Sequence, residues 1–487
     1  MTLLKKYTTF YSCILLTGLV SCNQEIKSDQ QPVQPNVIYI LADDLGYGDL
    51  SCYGQARFQT PNIDRLAAEG MLFTQHYSGA TVCAPSRSAL MTGMHTGHTP
   101  VRGNYEIDPE GQYPLPDTMS TLPKLLKSQG YTTGIFGKWG LGFPGSSGDP
   151  MNQGFDRFYG YNCQRLAHHY YPRYLWDNDQ IDSIPQNAGQ NKDVYAPDRI
   201  HERAMTFIEE NQEGPFFLYY AAVAPHAELT APESYMEKFR GKYEPELDYK
   251  GHDEGEGYRE GRYESQPESH AAFVAMITHL DDRVGQIVSK IDELGLSENT
   301  LIVFTSDNGP HQEGGADPDF FNSNGELKGY KRDLYEGGVR VPMIAKWPGQ
   351  IKKGVTTDHV SAFWDVMPTV AELIGAESNQ TTDGISFAPT LMSTTGQQQH
   401  DYLYWEFHER GGRRAVRKDN WKLVQYGVNK RQKGEYELYD LNVDLGEETN
   451  VATHHPQLVI ELTEIMENAR VPSSVFKFKN ETLLADE

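Results

Sequence analysis

The sequence is short of positive charge. It carries 43 Lys and Arg residues against 67 Asp and Glu, a formal net charge of -24 over 487 residues. Nucleic acid is bound by lysine and arginine along the phosphate backbone, so this balance excludes it as a partner and disfavours wrapping around a long polyanion. A small anionic group in one basic pocket stays compatible, because net charge says little about a single site. The length predicts one large domain and one smaller domain.

Long apolar runs are also missing. The one apolar stretch near the start, residues 7–20, follows Lys5 and Lys6 and is interrupted by polar residues. It is too short for a membrane span, which needs roughly 20 apolar residues. The segment resembles a bacterial lipoprotein signal ending before Cys22, and a plain secretory signal is the alternative. We therefore expect an exported periplasmic or cell-surface lipoprotein of a bacterium, which meets the membrane only through a lipid on Cys22.

Cysteine is scarce as well. Of five cysteines, Cys13 lies in the signal and Cys22 is the predicted lipidation site, which leaves Cys52, Cys83 and Cys163. A disulfide framework therefore does not hold this fold, although a single bridge from Cys52 to Cys163 stays open. No set of Cys and His residues has zinc spacing.

What the sequence does have is a series of short apolar runs that end in polar clusters. The runs are residues 37–42, 132–136, 216–223 and 301–305, and they lead into Asp43 and Asp44, Lys138, His226, and Asp307 and Asn308. Helical segments are predicted over 62–70, 121–130 and 269–294. This alternation predicts an α/β fold, with a large, mostly parallel sheet sandwiched by helices. Ligands gather at the carboxyl ends of such strands, so we expect the four polar ends to converge.

Two regions have a different texture. Residues 243–268 are acidic, rich in glycine and tyrosine, and without periodicity. They predict a solvated loop, with an active-site lid as the alternative. From residue 401 short β runs precede a helix near 455–468, which predicts a small antiparallel sheet with a covering helix. The predicted divisions are a signal (1–21), a tether (22–35), a catalytic domain (36–400) and a C-terminal α+β subdomain (401–487).

Two of the polar clusters suit a metal. Asp43, Asp44, Asp307 and Asn308 offer the hard oxygen ligands that Ca²⁺ prefers. Adjacent aspartates repel each other unless a cation lies nearby. Asp and Asn also favour helix caps and turns, which is the alternative. Two such pairs, each closing a buried strand, favour the metal.

The segment at residues 83–93 reads CAPSRSALMTG. It resembles the maturation signature of the formylglycine-dependent sulfatases, which belong to the alkaline phosphatase superfamily. The resemblance covers residues 36 to about 455, and its other landmarks are NVIYILADDLGYGD (36–49), TPNI (60–63), GKWGLG (137–142), TSDNG (305–309), LYEGGVRVP (334–342) and YELYDLNVDLGEETNV (436–451). It implies an alkaline-phosphatase-like fold and the hydrolysis of a sulfate ester.

The resemblance also implies a modified residue and a metal. A formylglycine-generating or radical maturation enzyme would oxidise Cys83 to formylglycine, whose hydrate would be the nucleophile. One Ca²⁺ ion would be held by an oxygen of the modified residue together with Asp43, Asp44, Asp307 and Asn308.

Four further residues receive roles from the resemblance. Arg87 would stabilise the hydrated aldehyde. Lys138 and Lys331 would hold the sulfate oxygens. His226 would lie near the ester oxygen, and either it or Lys331 would protonate the leaving alcohol.

Position 140 departs from the family pattern. Many members have a histidine two positions after the lysine, whereas this chain has Gly140. His168 and His169 are candidates to fill that role, and His311 is a candidate for substrate contact. A lone histidine is more often structural, which is the alternative for each.

The substrate is indicated by two stretches rich in aromatic residues, histidine and arginine, residues 160–176 and 405–417. They resemble bacterial sulfatases of sulfated galactose or N-acetylgalactosamine, which implies exo-removal of a 4- or 6-sulfate from a sulfated carbohydrate. A phosphatase or phosphodiesterase of the same superfold is one alternative, and a non-catalytic, lipid-anchored glycan-binding protein is another. The Cys83 signature and the complete set of polar residues argue against both.

Overall fold

The apolar runs form the centre of a mixed sheet. In this computed structural model the described residues are Thr2 and residues 34–255, 257–376, 381–430 and 434–479. The predicted signal, Cys22 and the tether up to residue 33 lie outside them. The strands described for this sheet are β1 (Asn36–Asp43), β2 (Met71–Tyr77), β3 (Thr132–Lys138), β4 (Arg157–Tyr161), β5 (Tyr174–Asp177), β6 (Gln180–Ser183), β7 (Phe216–Pro225), β8 (Thr300–Ser306), β9 (Arg340–Lys346), β10 (Val355–Thr357) and β11 (Ser361–Ala362).

The strand order confirms the predicted α/β fold. It runs β10-β2-β9-β8-β1-β7-β3-β4-β5-β6, with β11 also paired to β2. The central strands β8, β1, β7, β3 and β4 are parallel, so their carboxyl ends lie at one edge. Antiparallel pairings flank them, β8 with β9 on one side, and β4 with β5 and β5 with β6 on the other.

Helices cover both faces of the sheet. The described helices are α1 (Pro61–Ala68), α2 (Cys83–Thr92), α3 (Leu122–Ser128), α4 (Ala196–Glu210), α5 (Glu233–Phe239), α6 (Ser269–Glu293), α7 (Pro318–Phe321), α8 (Glu336–Val339), α9 (Val366–Leu373), α10 (Ala388–Leu391) and α11 (Pro456–Asn468). Alternate β1 residues enter opposite layers. Ile38 and Ile40 pack with α1, α4 and α6, while Val37 and Leu41 pack with α2, α3 and α9. Burial of such side chains stabilises the sheet by about 1.5–3 kcal/mol each, which explains why β1 is apolar on both faces.

The predicted second sheet is present at the C-terminal end. Its antiparallel strands are β12 (Leu403–Phe407), β13 (Arg413–Lys418), β14 (Trp421–Tyr426) and β15 (Tyr436–Asp440). One face packs on α11 through Leu462 and Met466. The other face packs through Trp405 against Tyr77 of β2 and Trp364. The described residues from Gln34 onwards form one compact unit, and the division at residue 401 stays a prediction.

Two findings bear on export and on redox chemistry. Within the described residues Cys52, Cys83 and Cys163 are all free, so the bridge that the sequence left open is not formed. None of the helices found there is both long and apolar enough to pass through a membrane.

Candidate active site

The carboxyl ends of β1 and β8 bring two pairs of polar residues together, as predicted. Asp43 ends β1, and Asp44 follows it in the left-handed region with a φ of 64°. Asp is among the few residue types that tolerate this conformation. The Asp44 amide donates to Asp307 Oδ1 at 3.1 Å, and Asn308 Nδ2 donates to Asp44 Oδ1 at 2.7 Å. The two strand ends are therefore tied directly to each other.

Three buried cations neutralise these carboxylates. Lys138 Nζ, at the end of β3, lies 2.6 Å from Asp43 Oδ2. Lys331 Nζ lies 2.8 Å from Asp44 Oδ2. The Arg87 guanidinium donates to Asp307 Oδ2 from Nε at 3.1 Å and from Nη2 at 2.8 Å. Three carboxylates and three cations balance locally, although the whole chain is strongly acidic. We call these six residues the strand-end cluster.

Cys83 begins helix α2 and points into this cluster. Its thiol donates to Asp43 Oδ1 at 3.3 Å and lies 3.9 Å from Asp44 Oδ1. Pro85 is tolerated because first-turn residues have no intrahelical acceptor for an amide hydrogen. Arg87 lies four residues after Cys83, hence on the same helix face. The spacing of the Cys-x-Pro-x-Arg segment therefore places its thiol and its guanidinium at one site.

His226 and Lys331 form a pair on the opposite side of Asp44. The two side chains approach to 2.9 Å between Nζ and Nε2, and His226 Nε2 lies 3.4 Å from Asp44 Oδ2. His226 Nδ1 bonds to the Ala227 carbonyl, so Nε2 carries the lone pair that accepts from the Lys331 ammonium. Lys331 and His226 thus share one hydrogen-bonded proton beside the Asp44 carboxylate.

Burial and neighbouring charges together set the protonation states. Burial, reinforced by the Lys331 charge, lowers the pKa of His226 well below its usual value. Burial acts to lower the pKa of Lys331, but the charges of Asp44, Glu313 and other neighbours together outweigh it, and the pKa rises well above its usual value. Burial and the Asp307 and Asp43 charges raise the pKa of the Cys83 thiol, which is held as a neutral S–H. Burial, together with Asp43, raises the pKa of Asp307 to about 6.

The three histidines offered by the sequence have different surroundings. The His168 ring stacks on His226 with centroids 5.0 Å apart, and the His311 ring lies 5.5 Å from His226. Burial lowers the pKa of His168 to about 3. His169 uses both ring nitrogens within the fold, with Nδ1 at 3.3 Å from Glu228 Oε2 and Nε2 accepting from the Gly261 amide. The ring nitrogens of His311 are also both engaged, since Nε2 bonds to the Pro225 carbonyl and Nδ1 accepts from the Glu313 amide. The structure thus brings His168 and His311 beside His226 and turns His169 towards a loop.

That loop corrects the prediction for residues 243–268. Its outer part is exposed, but Arg259 and Glu264 are buried. Gly261 accepts from His168 Nδ1 at 2.8 Å, and the Tyr263 hydroxyl donates to Glu313 Oε2 at 3.2 Å. The segment is therefore partly packed onto the site rather than fully solvated, because its aromatic and arginine residues find partners there.

Glu313 is a site residue that sequence reasoning missed. Its Oε2 lies 3.4 Å from Lys331 Nζ, and it also pairs with Arg332. The sequence offered one indication of Glu313, namely its position two residues after the candidate His311. It lies in a loop without periodicity, which does not predict the direction of its side chain. Glu313 adds a fourth carboxylate beside the strand-end cluster, and the Arg332 guanidinium neutralises its charge.

A divalent cation fits the donors at the strand ends. Ligand atoms of Asp43, Asp44, Cys83 and His226 all lie within 4.8 Å of one another. Asn308 Oδ1 is buried and has no hydrogen-bond partner within the described structure. An orphaned buried carbonyl oxygen is costly unless a ligand meets it. Oxygen-rich donors of this kind suit a hard cation such as Ca²⁺.

Comparison with known proteins agrees with this geometry. The family model described as Sulfatase matches residues 35–376, well over half of the chain. The chain belongs to the sulfatase family. A second model, described as N-sulphoglucosamine sulphohydrolase, C-terminal, matches residues 325–471 of this sulfatase. The protein is accordingly a sulfuric ester hydrolase, which sets aside the phosphatase and the non-catalytic alternatives.

Three relatives show how far the similarity extends. Arylsulfatase A of Homo sapiens is 36% identical over 417 residues, covering 80% of this sulfatase and 74% of the relative. The N-acetylgalactosamine-6-O-sulfatase of Bacteroides thetaiotaomicron is 30% identical and covers 94% of this sulfatase and 97% of the relative. The crystal structure of Ps i-CgsB in complex with k-i-k-neocarrahexaose has a TM-score of 0.74 at 27% identity, covering 92% of this sulfatase and 94% of that chain.

Proposed function

We propose that this sulfatase removes sulfate from a sulfated sugar, with a formylglycine derived from Cys83 and one Ca²⁺ ion. Exo-action on sulfated galactose or N-acetylgalactosamine, at position 4 or 6, is the expected reaction. The observation that carries the proposal is the position of Cys83. Its sulfur lies 3.3 Å from Asp43, inside a buried cluster of carboxylates and cations at the strand ends.

The metal would be held by oxygens of Asp43, Asp44, Asp307 and Asn308, together with the modified Cys83. The orphaned Asn308 Oδ1 supports this ligand set. A bound Ca²⁺ supplies positive charge that favours the approach of an anionic ester. Because the strand-end cluster is otherwise balanced, the ion would make the site locally positive in an acidic protein.

A formylglycine hydrate at position 83 would offer two hydroxyls on one carbon, one as the nucleophile towards sulfur and the other, by losing its proton, as the group that expels sulfate and regenerates the aldehyde. Arg87 is placed to hold such a hydrate, since it lies one helical turn from residue 83. It is itself fixed by Asp307 and by the Lys138 carbonyl, to which Nη1 donates at 2.6 Å. This fixation keeps the guanidinium from swinging away.

Lys138 and Lys331 flank the two aspartates and would hold the sulfate oxygens. Both are buried, so their charges act in a medium that screens them weakly. Leaving-group protonation falls to the pair of Lys331 and His226. Lys331 is the protonated member of the pair, and its Nζ lies 2.9 Å from His226 Nε2. The proton for the ester oxygen would come from Lys331 Nζ directly or by way of His226 Nε2.

A sugar substrate is supported by the named relatives and by the surroundings of the site. The relatives include an N-acetylgalactosamine-6-O-sulfatase and a structure bound to k-i-k-neocarrahexaose. Beside His226 lie His168, His311 and Tyr263, whose rings suit the faces and hydroxyls of a sugar. The fully buried strand-end cluster favours a terminal sugar, since an internal residue of a long chain would have to enter it from both sides.

Export and maturation complete the proposal. The chain would be modified at Cys83 by a formylglycine-generating or radical maturation enzyme, and Cys22 would carry the lipid anchor. Cys22→Ser should move the protein from the membrane fraction to the soluble fraction of the producing bacterium. Unchanged membrane association would remove the anchor from the proposal.

The test of the function is peptide mass combined with a substrate panel. Enzyme made with a maturation enzyme should give a Cys83 peptide about 18 Da lighter than the thiol form. Active enzyme that retains an unmodified thiol would contradict the mechanism. Galactose and N-acetylgalactosamine carrying a 4- or 6-sulfate should be cleaved with different kcat/KM, and failure on all four would contradict the sugar class.

A further inference from the structure

Three buried amide side chains beside the site have no partners for most of their polar atoms. Asn162 is 1% exposed, and neither its Oδ1 nor its Nδ2 is hydrogen-bonded within the described structure. Gln164 is 5% exposed, and both its Oε1 and its Nε2 are unpartnered there. Gln112 is fully buried and has an unpartnered Nε2. Each such atom costs about 1–3 kcal/mol unless a ligand or ordered water meets it.

The amides lie directly beyond Lys138. Tyr161 of β4 is the register partner of Lys138 on β3. The pairing continues past the strands, where the Gly140 amide donates to the Asn162 carbonyl at 3.0 Å. The Gln164 backbone N–H then donates to Gln112 Oε1 at 2.8 Å, which ties the third side chain to the segment that carries the other two. The group thus adjoins the lysine proposed to hold sulfate.

Gly140 leaves the space that the Gln164 amide occupies. A Cβ at position 140 would lie 2.0 Å from Gln164 Nε2, and the φ of Gly140 is +79°. A histidine at this position could not coexist with Gln164 as it is placed. The vacancy left by the missing histidine is therefore filled by a neutral amide, which neither gains nor loses a proton near neutral pH.

The orphaned atoms include both donors and acceptors, and this decides the ligand. Sulfate oxygens only accept hydrogen bonds, so they would leave Asn162 Oδ1 and Gln164 Oε1 unpaired. A sugar hydroxyl both donates and accepts, and so can satisfy the two ends of an amide. We propose that Asn162 and Gln164, supported by Gln112, form a hydroxyl-binding subsite that positions the sugar ring beside the sulfate ester. This inference rests on the proposed function, because it concerns how that substrate is held.

The first test uses Gln164→Met, which keeps the length of the side chain and removes both polar atoms. We expect kcat/KM for N-acetylgalactosamine 6-sulfate to fall at least about tenfold, mainly through KM. Turnover of 4-nitrophenyl sulfate, whose leaving group has no ring hydroxyl beyond the ester oxygen, should stay within about twofold. Equal losses on both substrates, or no loss on either, would overturn the subsite.

A second measurement does not depend on turnover. In a Cys83→Ala background, calorimetry should show N-acetylgalactosamine 6-sulfate binding at least about tenfold more weakly once Gln164→Met is added. Unchanged affinity would mean that ordered water alone meets the amides. The formylglycine mass and the aryl sulfate turnover of the wild-type enzyme test the proposed function separately, since neither depends on Gln164 binding a sugar hydroxyl.

Stability separates a binding role from a structural one. Gln55→Met is the matched control, because Gln55 is also 5% exposed but its Nε2 donates to the Gly48 and Phe321 carbonyls at 3.0 and 2.9 Å. We expect Gln55→Met to lower the melting temperature and to leave both kcat/KM values unchanged. Gln164→Met should leave the melting temperature of the ligand-free enzyme unchanged or raise it. A fall comparable to that of Gln55→Met would overturn the binding role.

Discussion

Two clusters of buried charge can be compared in this molecule. The strand-end cluster lies at the carboxyl edge of the large sheet. The other, which we call the inter-sheet cluster, consists of Glu336, Lys422, Glu447 and Tyr77, and it connects the two sheets. Glu336 Oε1 accepts from Lys422 Nζ at 2.8 Å, and Glu336 Oε2 accepts from the Tyr77 hydroxyl at 2.5 Å. The Glu336 amide donates to Glu447 Oε2 at 2.6 Å.

The two clusters differ in the polar atoms that the rest of the protein leaves without a partner. Glu336 and Lys422 are both fully buried and pair with each other. Glu447 Oε1 lacks a hydrogen bond, but it lies 3.3 Å from the Lys422 ammonium, so the buried carboxylates of the inter-sheet cluster already meet cations of the chain and the cluster has a structural role. Beside the strand-end cluster, by contrast, Asn308 Oδ1 is unpartnered and the Cys83 thiol points towards the carboxylates. Burial and charge alone therefore do not mark a reactive site. Open ligand positions at the end of parallel strands do.

The largest effect should come from the thiol. Cys83→Ala removes the precursor of the nucleophile, so sulfate release should fall at least about a thousandfold. The melting temperature should stay within a few degrees of the wild type, because Cys83 makes only one weak hydrogen bond. Sulfate release by ion chromatography and a thermal melt measure the two quantities. Cys52→Ala, which removes a half-buried free thiol away from the cluster, should keep full activity. A fall much smaller than about a thousandfold in Cys83→Ala would contradict the role of Cys83 as the precursor of the nucleophile.

Next come the two buried lysines, each with Nζ 2.8 Å from a carboxylate oxygen. Lys422→Met removes the buried cation that Glu336 and Glu447 share and leaves Glu336 with Arg340, so the free energy of unfolding should fall by about 3–5 kcal/mol, with kcat per folded molecule unchanged. Lys331→Met should instead lower kcat at least about a hundredfold. Its stability loss should be restored by Ca²⁺, since the ion can neutralise Asp44. Urea unfolding with and without Ca²⁺ checks this contrast, and rescue of Lys422→Met by the ion would break it.

Much of the strand-end cluster could be predicted from the sequence. The runs before Asp43 and Asp307 are apolar on both faces, which indicates buried parallel strands. Because the carboxyl ends of parallel strands lie at one edge of the sheet, the polar pairs that follow them are expected to lie close together. The register bears this out, since Ala42 pairs with Ser306, one residue before each aspartate. Cys83 and Arg87 were identified through the resemblance of residues 83–93 to the sulfatase maturation signature, and the structure adds that one helix carries both.

The remaining site residues could not be predicted, for a physical reason. Glu313 and Tyr263 come from loops, where no period of 2 or 3.6 residues fixes which way a side chain points. Gln164 and Asn162 are identified only by their lack of hydrogen-bond partners, which depends on the coordinates of their neighbours. The inter-sheet cluster has the same origin, because Glu336 and Lys422 lie on separate elements that meet only in the folded chain.

Calcium should stabilise the strand-end cluster alone. At a free concentration of about 100 times its Kd, an ion that binds only the folded state adds about 2.7 kcal/mol to the free energy of unfolding. Asp44→Asn should lose most of this gain. Asp281→Asn should keep it, because Asp281 is equally buried but accepts from the Asn62 and Ile63 amides at the start of α1. Thermal melts with Ca²⁺ and with a chelator measure the shift, and an equal shift in the two variants would place the ion elsewhere.

The smallest effect is a pH dependence confined to the inter-sheet cluster. Burial, aided by the Glu336 charge and opposed by Lys422, raises the pKa of Glu447 from 4.5 to about 7. Between these values the folded protein binds more protons than the unfolded chain, so stability falls as pH rises through the window. We expect Glu447 to contribute a fall of about 1–3 kcal/mol between about pH 5 and about pH 8.

Glu447→Gln tests this contribution, because glutamine keeps the shape of a protonated glutamate and does not titrate. Asp307 titrates in the same direction, so the difference between the wild-type and variant urea unfolding curves isolates Glu447. The variant should be as stable as the wild type near pH 5 and more stable near pH 8, and parallel curves would mean that Glu447 is ionised throughout. In that case Glu336 and Glu447 would both be ionised, Lys422 and Arg340 would be the cations that neutralise them, and the inter-sheet cluster would be as balanced in charge as the strand-end cluster.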